Sequence, residues 1–326
     1  MKSETEVLKG FVVRSSRNII TARVDSKNGC EELECRIKGK VLKTERDIYN
    51  PVAPGDWVKI ERHKDSKKAM ILSVEKRRNF FSRFNQKGNT SQLLAANIDL
   101  VLCVCSPSSP PLRPRFLDRV LLQAEIAGIE AAVICNKTDL LDGDMDVDER
   151  LEEYSRIGYK LFRISAKTGE GIGNLRSVIT GKNCVLTGQS GVGKSSIINA
   201  LSPGLFIKEG RINDKYDRGV HTTTMSIMFE IECVLQKDDT NFSTRIIDTP
   251  GIRRFIPDGI RSEEVIIYMR EFASLSGKCS FGLSCSHRSE CGCKILEAVN
   301  AGVIHEDRYE SFLRITDDLR GKENDD

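Results

Sequence analysis

The sequence predicts a multidomain protein with an all-β N-terminal region, a central α/β region and a mostly α-helical C-terminal region. Three observations support this prediction. Short β-branched segments separated by glycine, asparagine and proline occupy residues 7–78. From Asn97 onward, apolar strand-like segments alternate with helical ones. Four cysteines then fall within residues 279–293. We therefore expect domains over residues 1–90, 91–260 and 261–326.

The composition is that of an ordinary soluble globular protein. With 326 residues, 39% hydrophobic and 30% charged, the chain can bury a substantial core. The sequence has no apolar run of about 18 residues, and its start lacks the apolar segment of a signal peptide, so we expect neither a membrane span nor export. The eleven cysteines are then expected to be reduced thiols in the cytoplasm.

The N-terminal region is predicted to be a small barrel. About five short strands in some seventy residues suit an OB-fold best. Residues 1–91 hold 21 Lys and Arg against 12 Asp and Glu, a local net charge of +9 in a chain of net charge +3. Such asymmetry favours contact with a polyanion. The basic run between Arg62 and Lys87 is explained equally by RNA binding and by a solvated surface.

Three aromatic residues follow this basic run. Phe80, Phe81 and Phe84 are interleaved with Arg78 and Arg83. They could form a platform on which bases stack, or an apolar staple that docks the barrel on its neighbour. We favour the staple.

The central region alternates strands and helices. Its apolar segments are typical of parallel strands covered on both faces, and the connecting segments have helical spacing. Such βαβ units form a parallel sheet that binds ligands at the carboxyl ends of its strands. The predicted strands cover 98–106, 131–135, 160–164, 184–186, 225–235 and 244–247, and the first predicted helices cover 116–128 and 151–159.

A glycine-rich segment follows the strand at 184–186 and precedes a helical segment. The pattern GxxxxGK[ST] in this context predicts a phosphate-binding loop. Its glycines let backbone N–H groups converge on phosphate oxygens at a helix N-terminus. We expect Lys194 to reach the β- and γ-phosphates and Ser195 to ligate magnesium. The predicted loop residues are Gly188, Gln189, Ser190, Gly191, Val192, Gly193, Lys194, Ser195 and Ser196.

A second motif, Asn136-Lys137-Thr138-Asp139, follows the strand at 131–135 and matches the guanine-selective NKxD pattern. The Asp139 carboxylate can accept hydrogen bonds from guanine N1–H and the 2-amino group, and adenine lacks both donors. Lys137 is expected to lie along the base. A third motif, Ser165-Ala166-Lys167, is expected to close over it.

The motif Asp248-Thr249-Pro250-Gly251 ends the last predicted strand. We expect Asp248 to hold magnesium through water and the Gly251 N–H to contact the γ-phosphate. Upstream, Thr223 is the best candidate for another magnesium-binding hydroxyl. His221 beside it is equally well explained as a catalytic group and as a solvent-facing loop residue.

The motif order indicates a circularly permuted P-loop GTPase domain. NKxD precedes the phosphate loop here, whereas Ras-like chains have the reverse order. A circular permutation moves the termini and keeps the same sheet.

The C-terminal region is predicted to be a helical zinc-knuckle domain. Cys279, Cys285, His287 and Cys293 offer three thiolates and an imidazole, the ligand set of a structural zinc site. Cys291 is a spare thiol that could replace Cys293. Predicted helices surround the cluster over 262–274, 294–301 and 309–319.

The order of barrel, permuted GTPase and zinc knuckle resembles the ribosome small-subunit-dependent GTPase A family (RsgA, also called YjeQ). The resemblance rests on NKTD at 136–139, SAKTGEG at 165–171, GQSGVGKSS at 188–196, GVHTTT at 219–224, DTPG at 248–251 and the knuckle. There are two departures. Five residues separate Cys279 from Cys285 where the family has four, and Val220 replaces an arginine.

The resemblance implies a function and a set of partners. The expected activity is hydrolysis of GTP to GDP and phosphate, with magnesium at the nucleotide and one structural zinc per chain. The expected partner is the small ribosomal subunit with its rRNA, whose late maturation the protein would assist as a monomer. Stimulation of hydrolysis by the subunit would time release. The alternative is a non-ribosomal GTP-dependent switch that binds another protein.

Overall fold

The computed structural model describes residues 5–16, 19–26, 29–37, 48–64, 66–86, 88–141, 145–202, 225–234, 241–252 and 254–325. Over these ranges the chain forms a barrel, a central α/β unit and a helical C-terminal unit, in that order. None of the helices within these ranges has the length and apolar character needed to cross a membrane.

The N-terminal barrel has five strands: β1 (Thr5–Ser15), β2 (Ile20–Ser26), β3 (Gly29–Ile37), β4 (Trp57–His63) and β5 (Lys68–Val74). Their order is β1-β2-β3-β5-β4, and β4 pairs back with β1 along seven residues to close the barrel. Alternate residues point inward, so that Val58 and Ile60 of β4 are buried while Trp57 and Lys59 are exposed. The predicted OB-like barrel is confirmed.

A β-hairpin that the sequence did not predict follows the barrel. It consists of β6 (Phe80–Asn85) and β7 (Thr90–Ala96). Phe81 is fully buried, and its ring centroid lies 5.7 Å from that of Phe255. Phe84 lies under the ammonium group of Lys322, whereas Phe80 is 46% exposed. The staple interpretation therefore fits Phe81 and Phe84 and not Phe80. A domain boundary after residue 90 would run through this hairpin.

The central unit contributes six strands, in the order β10-β9-β8-β11-β13-β12, to a sheet that continues through β1 into the barrel. All pairs among these six strands are parallel except β12 with β13. Its strands are β8 (Leu100–Cys105), β9 (Glu130–Cys135), β10 (Lys160–Arg163), β11 (Asn183–Gly188), β12 (Ser226–Val234) and β13 (Asn241–Asp248). Its helices are α1 (Pro114–Ile126), α2 (Met145–Arg156), α3 (Ile172–Ile179) and α4 (Lys194–Leu201).

Both faces of this sheet are covered. In β8, Val101 and Cys103 pack into the core on one face, and Leu102 and Val104 pack into a second core on the other. This explains why the strand is apolar at every position rather than at alternate ones. The strand ends that follow β9, β11 and β13 meet at one edge of the sheet, where the NKxD, phosphate-loop and DTPG motifs lie. The permuted order therefore reproduces a single GTPase-like site.

The C-terminal unit contains α5 (Val265–Tyr268), α6 (Arg270–Ala273), α7 (Lys294–Asn300) and α8 (Glu306–Asp325), after a 3₁₀ turn at Ser262–Glu264. The helical segment predicted over 262–274 is present, but it is divided at Met269 into a 3₁₀ turn with one short helix before it and a second short helix after it. Met269 has an extended backbone, with φ −97° and ψ 114°, and its side chain is buried. Burying Met269 in the core of this unit therefore takes precedence over the helical spacing of its neighbours.

Candidate nucleotide site and metal cluster

The phosphate loop lies between β11 and α4, as predicted. Gly193 has φ +91°, and a Cβ at this position would lie 2.3 Å from Nδ2 of Asn136. Only glycine therefore fits both the backbone conformation and the space. Ser190 and Gly191 are exposed on the loop, Val192 is buried beneath it, and Ser195 is half-buried at the start of α4.

Lys194 folds over the phosphate loop. Its Nζ donates hydrogen bonds to the carbonyl oxygens of Gly188 and Gln189, both at 3.1 Å. Lys194 is only 9% exposed. This burial lowers the pKa of its ammonium group, and the negative charge of Asp248 opposes that shift. A buried ammonium group in this place is suited to pairing with phosphate.

Asp248 ends β13 beside the phosphate loop and pairs in register with Leu186 of β11. Its carboxylate is buried, and burial raises its pKa to about 6, partly offset by Lys194. Among the described atoms, Oδ1 of Asp248 has no hydrogen-bond partner. An orphaned, buried carboxylate oxygen at this strand end fits a hard divalent cation such as magnesium.

The DTPG segment contacts the phosphate loop directly. Thr249 donates through both its backbone N–H and its hydroxyl to the carbonyl oxygen of Leu186, each at 3.1 Å. A Cβ on Gly251 would lie 3.1 Å from Cα of Ser190. The two segments are therefore in van der Waals contact, so that a displacement of one segment would also displace the other.

Asn136 connects all the base-site segments. Its Nδ2 donates to the carbonyl oxygen of Val192 at 2.9 Å, and its Oδ1 accepts from the N–H of Ala166 at 3.0 Å. Its own N–H donates to Cys105 at the end of β8. The buried amide thus fixes the phosphate loop and the Ser165 loop relative to each other, and its role is to position them.

Asp139 is held as an ionised acceptor. Its Oδ1 accepts a hydrogen bond from the Ser165 hydroxyl at 2.7 Å, and Nζ of Lys167 lies 3.7 Å from Oδ2. The hydrogen bond from Ser165 lowers the pKa of this carboxyl group. Thr138 donates its N–H to Ile164, and Lys137 adopts φ +67° with its Nζ bonded to the Ser109 carbonyl. The predicted NKxD and Ser-Ala-Lys residues therefore come together.

Gln189 has a role that the sequence did not predict. With its amide oxygen toward Arg113, its side chain accepts hydrogen bonds from Nε and Nη1 of Arg113 at 3.2 Å. The position is variable in the GxxxxGK[ST] pattern, so the motif carries no signal for this contact.

Cys279, Cys285, His287 and Cys293 are all buried, and one ligand atom from each lies within 4.8 Å of the others. Sγ of Cys279 and of Cys293 are 3.8 Å apart, and Nδ1 of His287 is 3.5 Å from each. Tetrahedral zinc with S and N ligands places such atoms about 3.8 Å and about 3.6 Å apart. This cluster therefore fits a metal ion.

The structure shows where the spare thiol of Cys291 lies and which local structure the segment between Cys279 and Cys285 adopts. Cys291 is exposed and lies outside the cluster, so that Cys293 is the better ligand. The extra residue between Cys279 and Cys285 is accommodated by a 3₁₀ turn at Gly282–Ser284. Tyr309 of α8 donates its hydroxyl hydrogen to the carbonyl oxygen of His287 at 2.6 Å, which ties the cluster to the terminal helix.

Comparison with known proteins agrees with this geometry. Residues 74–256 match the family model described as RsgA GTPase. A protein of Bacteroides fragilis (strain YCH46), named small ribosomal subunit biogenesis GTPase RsgA, is 37% identical over 95% of this chain and 97% of its own length. The chain belongs to the RsgA GTPase family. A relative of the same name from Porphyromonas gingivalis is 38% identical over 88% of this chain and 90% of its own.

Two solved structures share the fold. YjeQ from Thermotoga maritima aligns with a TM-score of 0.69 and 30% identity over 97% of this chain and 99% of its own. YloQ, described as a circularly permuted GTPase, aligns with a TM-score of 0.61 at 21% identity over 97% of this chain and 96% of its own. The family and the site together show that the chain is a circularly permuted GTPase.

Three residues named in the sequence analysis lie outside the described residues: Val220, His221 and Thr223. The magnesium-binding role of Thr223 and the catalytic role of His221 stay predictions.

Proposed function

We propose that this GTPase assists the late maturation of the small ribosomal subunit in the cytoplasm. As a monomer, it would bind the subunit and its rRNA with GTP in place and leave after hydrolysis to GDP. The observation that carries the proposal is a complete set of guanine and phosphate loops in a chain that matches, over nearly its whole length, relatives named for small-subunit biogenesis.

The residues at the site suggest how GTP is positioned. Asp139 would accept from the guanine N1–H and 2-amino groups, while the backbone of residues 188–195 surrounds the phosphates. Lys194 would exchange its two carbonyl partners for phosphate oxygens and stabilise the negative charge that develops during hydrolysis. Ser195 and Asp248, with Thr223, would hold a magnesium ion, which supplies further charge stabilisation at the phosphates when bound.

Intrinsic hydrolysis should be slow. The residue after DTPG is Ile252, which is 3% exposed and apolar, so it cannot orient a water molecule. We infer that the orienting group is His221 or a group of the small subunit. A GTPase that depends on its partner in this way would be a timer for release from that partner.

The barrel is the best candidate for the rRNA contact, through exposed basic residues rather than through Arg77. Arg77 makes two hydrogen bonds, at 2.7 and 2.8 Å, to the fully buried carboxylate of Asp56. Arg78 pairs with Asp99, but its side chain is 58% exposed, so this ion pair does not exclude an rRNA contact. Lys67, Lys68 and Lys76 are exposed on the same region, and we propose that they provide the phosphate contacts.

The test is the GTPase rate with and without purified small subunits, together with co-sedimentation in a non-hydrolysable GTP analogue and in GDP. We expect strong stimulation by the subunit, co-sedimentation with the analogue only, and no turnover by Lys194→Ala. If the subunit gives no stimulation and there is no GTP-dependent co-sedimentation, the ribosomal role is contradicted. That result would favour a switch that binds another protein.

A further inference from the structure

A cavity of about 450 Å³ opens beside the phosphate loop, between the start of α1, α2, α8 and the segment that follows DTPG. Five arginines line it: Arg113, Arg115, Arg119, Arg150 and Arg254. Asp307 is the acidic residue among the described residues of its lining, and Phe116 and Phe255 give it an apolar part. Of these described residues, Gln189 is the one that also belongs to the phosphate loop.

The arginines of this arginine cavity outnumber the acidic groups that face them. Arg119 and Arg254 both pair with Asp318, at 2.6 and 3.1 Å. Arg150 pairs with Asp307 at 3.0 Å, and Arg115 pairs with Glu310. Five guanidinium groups thus face three carboxylates. Nη1 of Arg119 is buried and has no hydrogen-bond partner among the described atoms, so part of the donor capacity is unused.

The start of α1 provides an independent argument. The N-terminus of a helix carries a partial positive charge, and acidic residues or bound anions stabilise it. Here Arg113 and Arg115 occupy this end, the first turn has no acidic residue, and no side chain caps it. Cations at this end oppose the helix dipole, so the local sequence is unfavourable unless an anion is bound. An anion in the cavity would offset both the dipole and the arginine charges.

The ion pairs do not prevent such binding. The side chains of Arg115, Arg150 and Arg254 are 48%, 43% and 58% exposed, and exposed ion pairs contribute little to stability. These guanidinium groups can therefore turn toward a ligand at small cost. Arginine recognises phosphate through two parallel N–H donors, which makes phosphate the anion that best fits several guanidinium groups.

We propose that the arginine cavity is a second ligand site, separate from the GTP site, for a small anion with two or more adjacent phosphate groups. Its volume is in the usual range for small-molecule sites. The concave shape favours a small ligand over a nucleic-acid backbone, which has to enter and leave as a continuous chain. A ligand here would contact both Gln189 of the phosphate loop and Arg254 after DTPG.

The test uses inorganic pyrophosphate as the probe, titrated calorimetrically into the full chain saturated with GDP at a fixed free Mg²⁺ concentration. GDP keeps the probe out of the phosphate loop. We expect saturable binding of one pyrophosphate per chain, weakened roughly tenfold by Arg115→Ala, because a charge-assisted contact is lost. Basal GTPase activity of Arg115→Ala should stay at the wild-type level.

Arg261→Ala is the matched control, because Arg261 is also an exposed, ion-paired arginine but lies away from the cavity. It should bind pyrophosphate as the wild type does. Absence of saturable binding to the GDP-loaded wild type, or an equal loss in Arg261→Ala, would overturn the proposal. The proposal would also be overturned if a short single-stranded RNA bound in a way that requires Arg115 while pyrophosphate did not bind. The ligand would then be a polymer.

Discussion

At the residue scale, selectivity depends on side chains that are fixed before any ligand arrives. Asn136 is bonded to the phosphate loop and to Ala166, while Ser165 is bonded to Asp139. The carboxylate of Asp139 is therefore pre-oriented and ionised, as the contact that we propose with guanine requires. Fixed donors and acceptors need no reorganisation on binding, which favours the correct base and leaves a wrong base with unpaired groups.

Replacing Asp139 tests this arrangement most directly. Asp139→Asn exchanges one acceptor for a donor, which faces the guanine 2-amino group, whereas xanthine has a carbonyl oxygen there. Loss of a charge-assisted hydrogen bond costs about 1.5–3 kcal/mol, so the preference for GTP over XTP should invert by more than about tenfold. Competition binding of the two nucleotides measures it. Glu170→Gln, the same change on an exposed residue of the neighbouring loop, should keep the GTP preference; unchanged selectivity in Asp139→Asn would place the base elsewhere.

Gly193 gives a second residue-scale prediction. Gly193→Ala places a Cβ 2.3 Å from Nδ2 of Asn136, in addition to the strain of a positive φ. Gly259→Ala has a similar φ of +85° and open space around its Cβ. The strain, about 1 kcal/mol, is common to both, whereas only Gly193→Ala should also displace Asn136 and weaken GTP binding by tenfold or more. Equal GTP affinity in the two variants, measured by fluorescent nucleotide titration, would contradict it.

The sequence predicted the positions of the motif residues in the fold well where they directly follow a strand. Lys194, Asp139 and Asp248 follow strands within short motifs, so their neighbours along the chain determine their positions. It did not predict individual side-chain contacts between segments that are distant along the chain. The pairing of Arg77 with Asp56, the contact of Gln189 with Arg113 and the bridge from Asn136 to Val192 all join separate segments. From the sequence alone, Arg77 belongs to the basic run that RNA binding could explain, whereas its pairing with buried Asp56 gives it a structural role.

At the element scale, α8 holds the C-terminal unit on the GTPase unit through a buried ionic group. Arg308 donates to Asp118 of α1 at 2.6 Å and to Glu271 of α6 at 2.6 Å. All three side chains are at most 6% exposed. A buried charge network has strict geometric requirements, so it fixes how α8 lies against α1.

Removal of the central charge should therefore be costly. Arg308→Ala leaves two carboxylates buried without a cation, and we expect it to lower the free energy of unfolding by about 3–5 kcal/mol. Arg314→Ala removes an arginine of the same helix that is 58% exposed and should change it by less than about 0.5 kcal/mol. Urea denaturation measures both. A loss in Arg308→Ala no larger than in Arg314→Ala would mean that the network contributes little.

The metal cluster yields the next prediction. We expect one zinc per chain, lost in the double variant Cys279→Ser/Cys293→Ser and kept in Cys291→Ser, whose thiol is exposed and outside the cluster. Since structural zinc stabilises folding directly, loss of zinc should make residues 261–326 sensitive to protease. Native mass spectrometry and limited proteolysis measure the two effects. Equal zinc content in both variants would rule out this ligand set.

At the scale of the whole molecule, backbone hydrogen bonds join the barrel to the nucleotide site. Strand β1 pairs with β12 through Arg14 and Ser15, and β12 pairs with β13, which ends at Asp248. The segment after DTPG is held at Phe255, whose ring packs against Phe81 of the hairpin and Phe116 of α1. Such an architecture links the barrel, which we propose binds the subunit, to the residues that we propose contact the phosphates.

The last prediction tests the barrel as the rRNA-binding surface. If exposed lysines there neutralise phosphates, binding to the small subunit in a non-hydrolysable GTP analogue should weaken steadily with salt, because counterions are released on association. Lys67→Glu should lower the affinity severalfold and reduce the salt slope by about one, while unstimulated GTPase activity stays unchanged.

Lys160→Glu is the control, because Lys160 lies on β10, at the opposite edge of the sheet from the barrel. Arg77 is a poor test residue, since its reversal would place a second negative charge beside buried Asp56 and destabilise the barrel. Sedimentation binding at several salt concentrations decides the matter: if Lys67→Glu and Lys160→Glu share one affinity and one slope, the basic surface of the barrel is only solvated.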